Sequence, residues 1–145
     1  MSLEIYVFLE RSAMLTPVQW QSAITEAGFA VALDIDFDPF TFTGFLPCQL
    51  NGHSAGFEYY FHPKEQIAEE FTYLAPRVKA FDSVVMLVWG GSLEEMACAV
   101  MAASALAAST PSLLYAPEDD SAVEGTRALG YAKEQMLAAA PYLKP

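Results

Sequence analysis

The 145-residue chain reads as a single α+β domain spanning residues 1–145: a mixed β-sheet with an antiparallel hairpin at about residues 41–62 and helices packed on it. Three observations predict this. Apolar, β-branched runs alternate with helix-opening signatures, Asn51-Gly52 separates two strand-like runs, and the chain is too short for a second substantial core. The expected order is β-α-β-β-β-α-β-α-β-α.

Residues 3–9 (LEIYVFL) are nearly all apolar and rich in β-formers, which suits a central strand. Thr16-Pro17-Val18-Gln19 opens a helix, with Thr16 as cap, Pro17 at the first helical position and Gln19 completing a capping box. Trp20, Ile24 and Ala27 form its apolar stripe, and Gly28 suits its left-handed stop. Phe29 to Asp38 then alternates, predicting a strand with Leu33, Ile35 and Phe37 on one side and Asp34, Asp36 and Asp38 on the other.

Asn-Gly favours a two-residue type I′ turn. That turn sets Leu50 opposite His53, Cys48 opposite Ala55, Leu46 opposite Phe57 and Phe42 opposite Phe61, with Tyr59 on their face. Thr41, Thr43, Phe45, Gln49, Glu58, Tyr60 and His62 take the other face, and Pro47 marks an edge or a bulge. Pro63 is expected to begin a helix carrying Ile67, Phe71 and Leu74 as far as Pro76. Asp82 to Trp89 is a continuous apolar run, the best candidate for a central strand. Ser92 and Glu95 open an Ala-rich helix from Leu93 to about Ala108, apolar nearly all round and so expected to be buried on more than one side. A short strand follows at Ser112–Tyr115. Ser121 and Glu124 read as a third capping box for a last helix ending near Ala140.

Charge narrows the function classes. The chain has 7 basic and 18 acidic residues, a formal net charge of −11. Such a protein repels nucleic-acid phosphates and anionic membrane surfaces. A hydrophobic content of 54% against 17% charged residues excludes a disordered tail. The longest uncharged run, Met96 to Pro117, is interrupted by Ser109-Thr110-Pro111-Ser112, and much of it is Ala, with no Lys or Arg anywhere between Lys79 and Arg127. No membrane span is expected. Glu4 interrupts the first apolar residues and no basic residue precedes them, so no secretion signal is expected either. A cytoplasmic location with reduced thiols at Cys48 and Cys98 follows.

Several residue groups invite chemistry. Asp34-x-Asp36-x-Asp38 resembles the start of a calcium loop, but the sixth position is Pro39 where that loop needs Gly, and the twelfth is Phe45 where it needs a bidentate Glu. Cys48 and His53 suggest a thiolate–imidazole pair, but Cys48 falls on the apolar face and the two are not directly opposed; Cys98 lies within the Ala-rich helix. The two histidines of the chain fall on opposite hairpin faces, too far apart to share a metal. Neither a metal, a cofactor nor a catalytic set is expected.

Two readings remain. The first is a non-catalytic, acidic, protein-binding module of bacterial type, such as an inhibitor or immunity-like protein for a basic partner. Phe45 and Tyr60 are its candidate anchors and Glu118, Asp119 and Asp120 its steering acids. The alternative is a small-ligand-binding domain or minor enzyme. It uses the strand-to-helix turn Gly90-Gly91-Ser92, whose free N–H groups attract anions, with His62 and Glu58. Glu94 and Glu95 already supply negative charge at that helix start, and no Lys follows the glycines as in a P-loop. A structural or self-assembling role ranks third.

Overall fold

A computed structural model describes residues 2–143 of the chain. Seven strands, β1 (Leu3–Leu9), β2 (Val31–Leu33), β3 (Gly44–Leu50), β4 (His53–Pro63), β5 (Ser83–Trp89), β6 (Ser112–Ala116) and β7 (Ser121–Glu124), form one sheet ordered β2-β3-β4-β5-β1-β6-β7. The helices are α1 (Pro17–Glu26), α2 (Glu65–Ala68), α3 (Ala75–Val78), α4 (Leu93–Ala108) and α5 (Ala128–Ala139). This is an α+β fold, and the hairpin around Asn51-Gly52 has the expected register: Leu50 pairs with His53, Cys48 with Ala55 and Leu46 with Phe57.

The sheet is antiparallel in every pairing, where a mixed sheet was expected. The reason lies in β1. The crossover β5-α4-β6 returns its second strand in the same direction as the first, but β1 inserts between the two and runs opposite to both.

The first face of the sheet carries Ile5, Val7, Leu9, Leu46, Cys48, Phe57, Tyr59, Val85 and Leu87 and is covered by α1, α4 and α5. Thr16 caps α1 reciprocally with Gln19: Thr16 Oγ1 accepts from the Gln19 N–H at 3.2 Å, and Gln19 Oε1 accepts from the Thr16 N–H at 3.0 Å. Trp20 Nε1 donates to the Ala102 carbonyl at 2.8 Å and pins α1 to α4. Every residue of α4 from Ala97 to Ala107 is buried. Small side chains let this helix meet the sheet while α1 and α5 lie against it, so its all-round apolarity is used.

The second face is covered in part. Ile67, Leu74 and Val78, from the segment between β4 and β5, pack on Tyr6, Phe8, Val84, Leu113 and Tyr115. That segment is not the single helix predicted from Pro63. Pro63 still pairs with Ser83 as the last residue of β4, and the helix that follows is broken into two four-residue turns and a 3₁₀ turn at Thr72–Leu74. Pro76, which cannot donate an N–H, restarts the helix and prevents a continuous one.

Three other expectations need correction. The strand predicted over Phe29–Asp38 shrinks to β2, because Asp34 and Asp38 turn back to accept the N–H groups of Asp36 (3.0 Å) and Phe40 (2.9 Å). Such local bonds compete with a ladder. The Phe42–Phe61 pair does not form: Gly44, at φ +109°, begins β3, and Phe61 pairs with Val85 instead. Ser121–Glu124 does not cap a helix. It is β7, paired with β6 across a turn in which Asp120 is left-handed, and α5 starts only at Ala128.

Candidate functional site

Cross-strand register builds the candidate site. On the second face, Phe45, Glu58, Val88 and Glu4 form one row across β3, β4, β5 and β1. Tyr60, Met86, Tyr6 and Tyr115 form the next, and His62, Val84, Phe8 and Leu113 the third. The segment at residues 64–81 seals Val84, Phe8 and Leu113 of the third row and the Tyr6–Tyr115 end of the second, leaving His62 half-buried. It leaves Phe45 exposed (52%) and Glu58, Tyr60, Met86 and Glu4 half-buried.

These groups are organised. Tyr60 donates its hydroxyl to Glu58 Oε1 at 2.5 Å, and its ring stacks on His62 at 5.9 Å and 8°. The Glu58 bond, followed by desolvation, holds the Tyr60 phenol above its usual pKa. The Phe45 ring lies where a Cβ on Gly56 would sit, and that glycine has φ +153°, so Gly56 provides the space Phe45 occupies.

The acids converge from distant parts of the chain. Burial raises the Glu4 carboxyl pKa first, and the nearby Glu118 and Glu70 charges raise it further. The Tyr6 phenol is pushed up by its own burial and then by Glu4, Glu70 and Glu118. Glu118 Oε1 also accepts the Glu4 N–H at 3.3 Å. Like charges held this close to aromatic rings create a field of one sign, which an entering cation relieves.

The predicted site residues separate into those brought together and those kept apart. Phe45, Glu58, Tyr60 and His62 share this face. Gly90-Gly91-Ser92 lies near only part of this group: Glu58 pairs with Val88, two residues before Gly90 and roughly 7 Å along the strand, whereas His62 pairs with Val84, six residues before Gly90, so roughly 20 Å of strand lies between. The turn also leads into α4, which covers the first face. Ser92 Oγ accepts the Glu95 N–H at 3.3 Å and contacts Glu94 Oε2 at 3.4 Å, so its hydroxyl serves as a cap.

Glu118, Asp119 and Asp120 are also engaged within the fold. Asp119 Oδ2 accepts from Tyr131 Oη (3.1 Å) and Gln135 Nε2 (3.2 Å), tying α5 to the β6–β7 turn. Asp120 supplies the left-handed residue of that turn, and Tyr73, whose hydroxyl also meets that of Tyr115, reaches its Oδ1 at 3.5 Å. Only Glu118 points its charge at the candidate site.

Glu4, Tyr6, Glu70 and Met86 were missed by sequence reasoning. Glu4 had a signal, as the lone charge in an otherwise apolar strand. Glu70 had none, because its neighbours lie on strands remote in sequence. The thiols of Cys48 and Cys98, treated separately above, are hydrogen-bonded to each other.

Among the described residues, no group of three or more His, Cys, Asp or Glu side chains is placed to hold a metal ion. Nor is any helix among them long and apolar enough to cross a membrane. Comparison with protein-family models, curated proteins and solved structures found no match for the chain.

Proposed function

We propose that the chain is a non-catalytic, cytoplasmic protein-binding module that holds a basic partner on the open half of its second sheet face, as an inhibitor or immunity-type protein does. One observation carries this reading: Glu4, Glu70 and Glu118 gather at the buried Tyr6, and Glu58 holds the half-buried Tyr60 on the same face, with Phe45 exposed at the margin. Carboxylates beside aromatic faces select Lys and Arg side chains by charge and by cation–π contact, while exposed apolar rings supply the anchors that charge alone lacks.

The test is affinity capture from lysate at physiological salt, comparing the parent chain with Glu58→Lys and Tyr60→Ala. The reading requires one stoichiometric basic protein that stays bound to the parent. With that partner purified, Glu58→Lys should slow association about tenfold or more. Tyr60→Ala should weaken affinity by about 2 kcal/mol, roughly thirtyfold, mainly through faster dissociation. Capture that disappears as salt rises from low to physiological, or that both variants retain unchanged, would reduce the acids to solubilising charge.

A further inference from the structure

We infer that Cys48 and Cys98 form an oxidisable pair that closes to an intramolecular disulfide, tying β3 to α4, on exposure to a low-molecular-weight disulfide such as oxidised glutathione.

These are the chain's two cysteines, and both are free and buried. They reach the same core cluster from opposite layers, Cys48 from the sheet and Cys98 from the helix covering it. A thiol–thiol hydrogen bond joins them. Access is on the Cys48 side only. Cys48 lines a surface cleft with Pro47, Gln49, Ser54, Ala55 and Glu95, whereas Cys98 is fully buried behind it. Ala55, paired directly with Cys48, lines the same cleft.

The chemistry is a two-step exchange. Cys48 loses its proton and its sulfur attacks one sulfur of the oxidised disulfide, breaking that S–S bond. One small thiol leaves carrying the proton, and a mixed disulfide remains on Cys48. The Cys98 sulfur, losing its proton in turn, attacks the Cys48 sulfur and expels the second small thiol. Two protein thiols have been oxidised by two electrons, and one small disulfide has been reduced to two thiols. The bond to Cys98, and then burial, hold the Cys48 thiol well above the usual range, with the Glu95 charge adding to the effect. The first step is therefore slow at neutral pH and accelerates as pH rises.

The experiment treats the reduced, folded full chain with oxidised glutathione and follows intact mass and non-reducing peptide maps. The expected product has lost two hydrogens, carries no glutathione and yields a linked peptide containing Cys48 and Cys98. Its Tm should rise by roughly 10 °C, because the cross-link closes a long loop of the unfolded chain. In Cys98→Ser the glutathione adduct should persist on Cys48, and in Cys48→Ser the remaining thiol should stay unmodified while the chain is folded. A persistent adduct on the parent chain, a covalent dimer, or thiols that oxidise only in denaturant would overturn the proposal. The parent-chain maps decide the matter even if a serine variant fails to fold.

Discussion

The two faces of the sheet are made from alternate residues of the same strands, yet one is closed and the other half open. On the first face, Ile5, Val7, Leu9, Val85 and Leu87 are all fully buried beneath α1, α4 and α5. The lid at its centre is a 16-residue helix with seven alanines, able to approach the strands closely. On the second face the covering segment is broken into short turns by Pro76 and covers only part of the strands. Beyond its reach, Glu4 and Glu58 occupy positions that would carry apolar side chains on a sealed sheet. What distinguishes the faces is thus the continuity of the covering helix, and the interrupted cover is what leaves Phe45, Glu58 and Tyr60 uncovered.

The largest test of this contrast is Val100→Asp in α4, where Val100 is 4% exposed. An unpaired carboxylate buried between helix and sheet should cost about 4 kcal/mol or more, read from denaturant unfolding. A variant that unfolds like the parent would mean the first face is not sealed. A smaller loss is expected from Leu74→Ala under the second face, about 2–3 kcal/mol. Hydrogen exchange sharpens the comparison. Amides of residues 64–81 should exchange through local opening that this variant increases, while those of α4 keep near-global protection.

The smallest effects concern pH. Glu4 has a folded-state pKa above its ordinary 4.5, so the folded chain holds its proton more tightly than the unfolded one. Its contribution is favourable below 4.5 and is lost as pH rises through the folded value. Glu4→Gln should therefore stabilise the chain at pH 7, by a few tenths of a kcal/mol after solvent screening. Asp82 lies the other way: the Arg11 N–H, donating to its Oδ1 at 2.7 Å, and the Ser83 side chain lower its pKa from 3.8. Its contribution is present above 3.8 and is lost as pH falls through the folded value. Asp82→Asn should flatten the acid limb of the stability curve without raising stability at neutral pH. Parallel melts of both variants from pH 3 to 8 test the opposite signs.

Much of the fold was legible where a signal is local. Thr16 and Gln19 announce α1, Asn51-Gly52 determines which residues of β3 and β4 face each other, and the apolar run to Trp89 marks β5. Local signals failed where two local structures share one pattern. Ser121 and Glu124 have capping-box spacing but also the alternation of a strand, and the unpaired edge of β6 decided for the strand. The Asp34–Asp38 alternation yielded to side-chain bonds back to the chain. For the candidate site, Phe45, Glu58, Tyr60 and His62 followed from the hairpin register alone. Glu4 and Glu118 meet across a separation of 114 residues, and Cys48 meets Cys98 across the sheet–helix boundary. No spacing in the sequence encodes such encounters.

The position of β1 also bears on how the chain is made. Of the seven described strands it is the first to leave the ribosome, yet its partners are β5, beginning at Ser83, and β6, beginning at Ser112. At about 5–20 residues per second, roughly 4–15 s pass before β5 has followed it out. Throughout that interval an apolar strand waits with both edges bare, while the β3–β4 hairpin can already close. Residues 3–9 thus pass through synthesis as an unpaired apolar segment, although in the finished protein they lie between β5 and β6 with both edges paired.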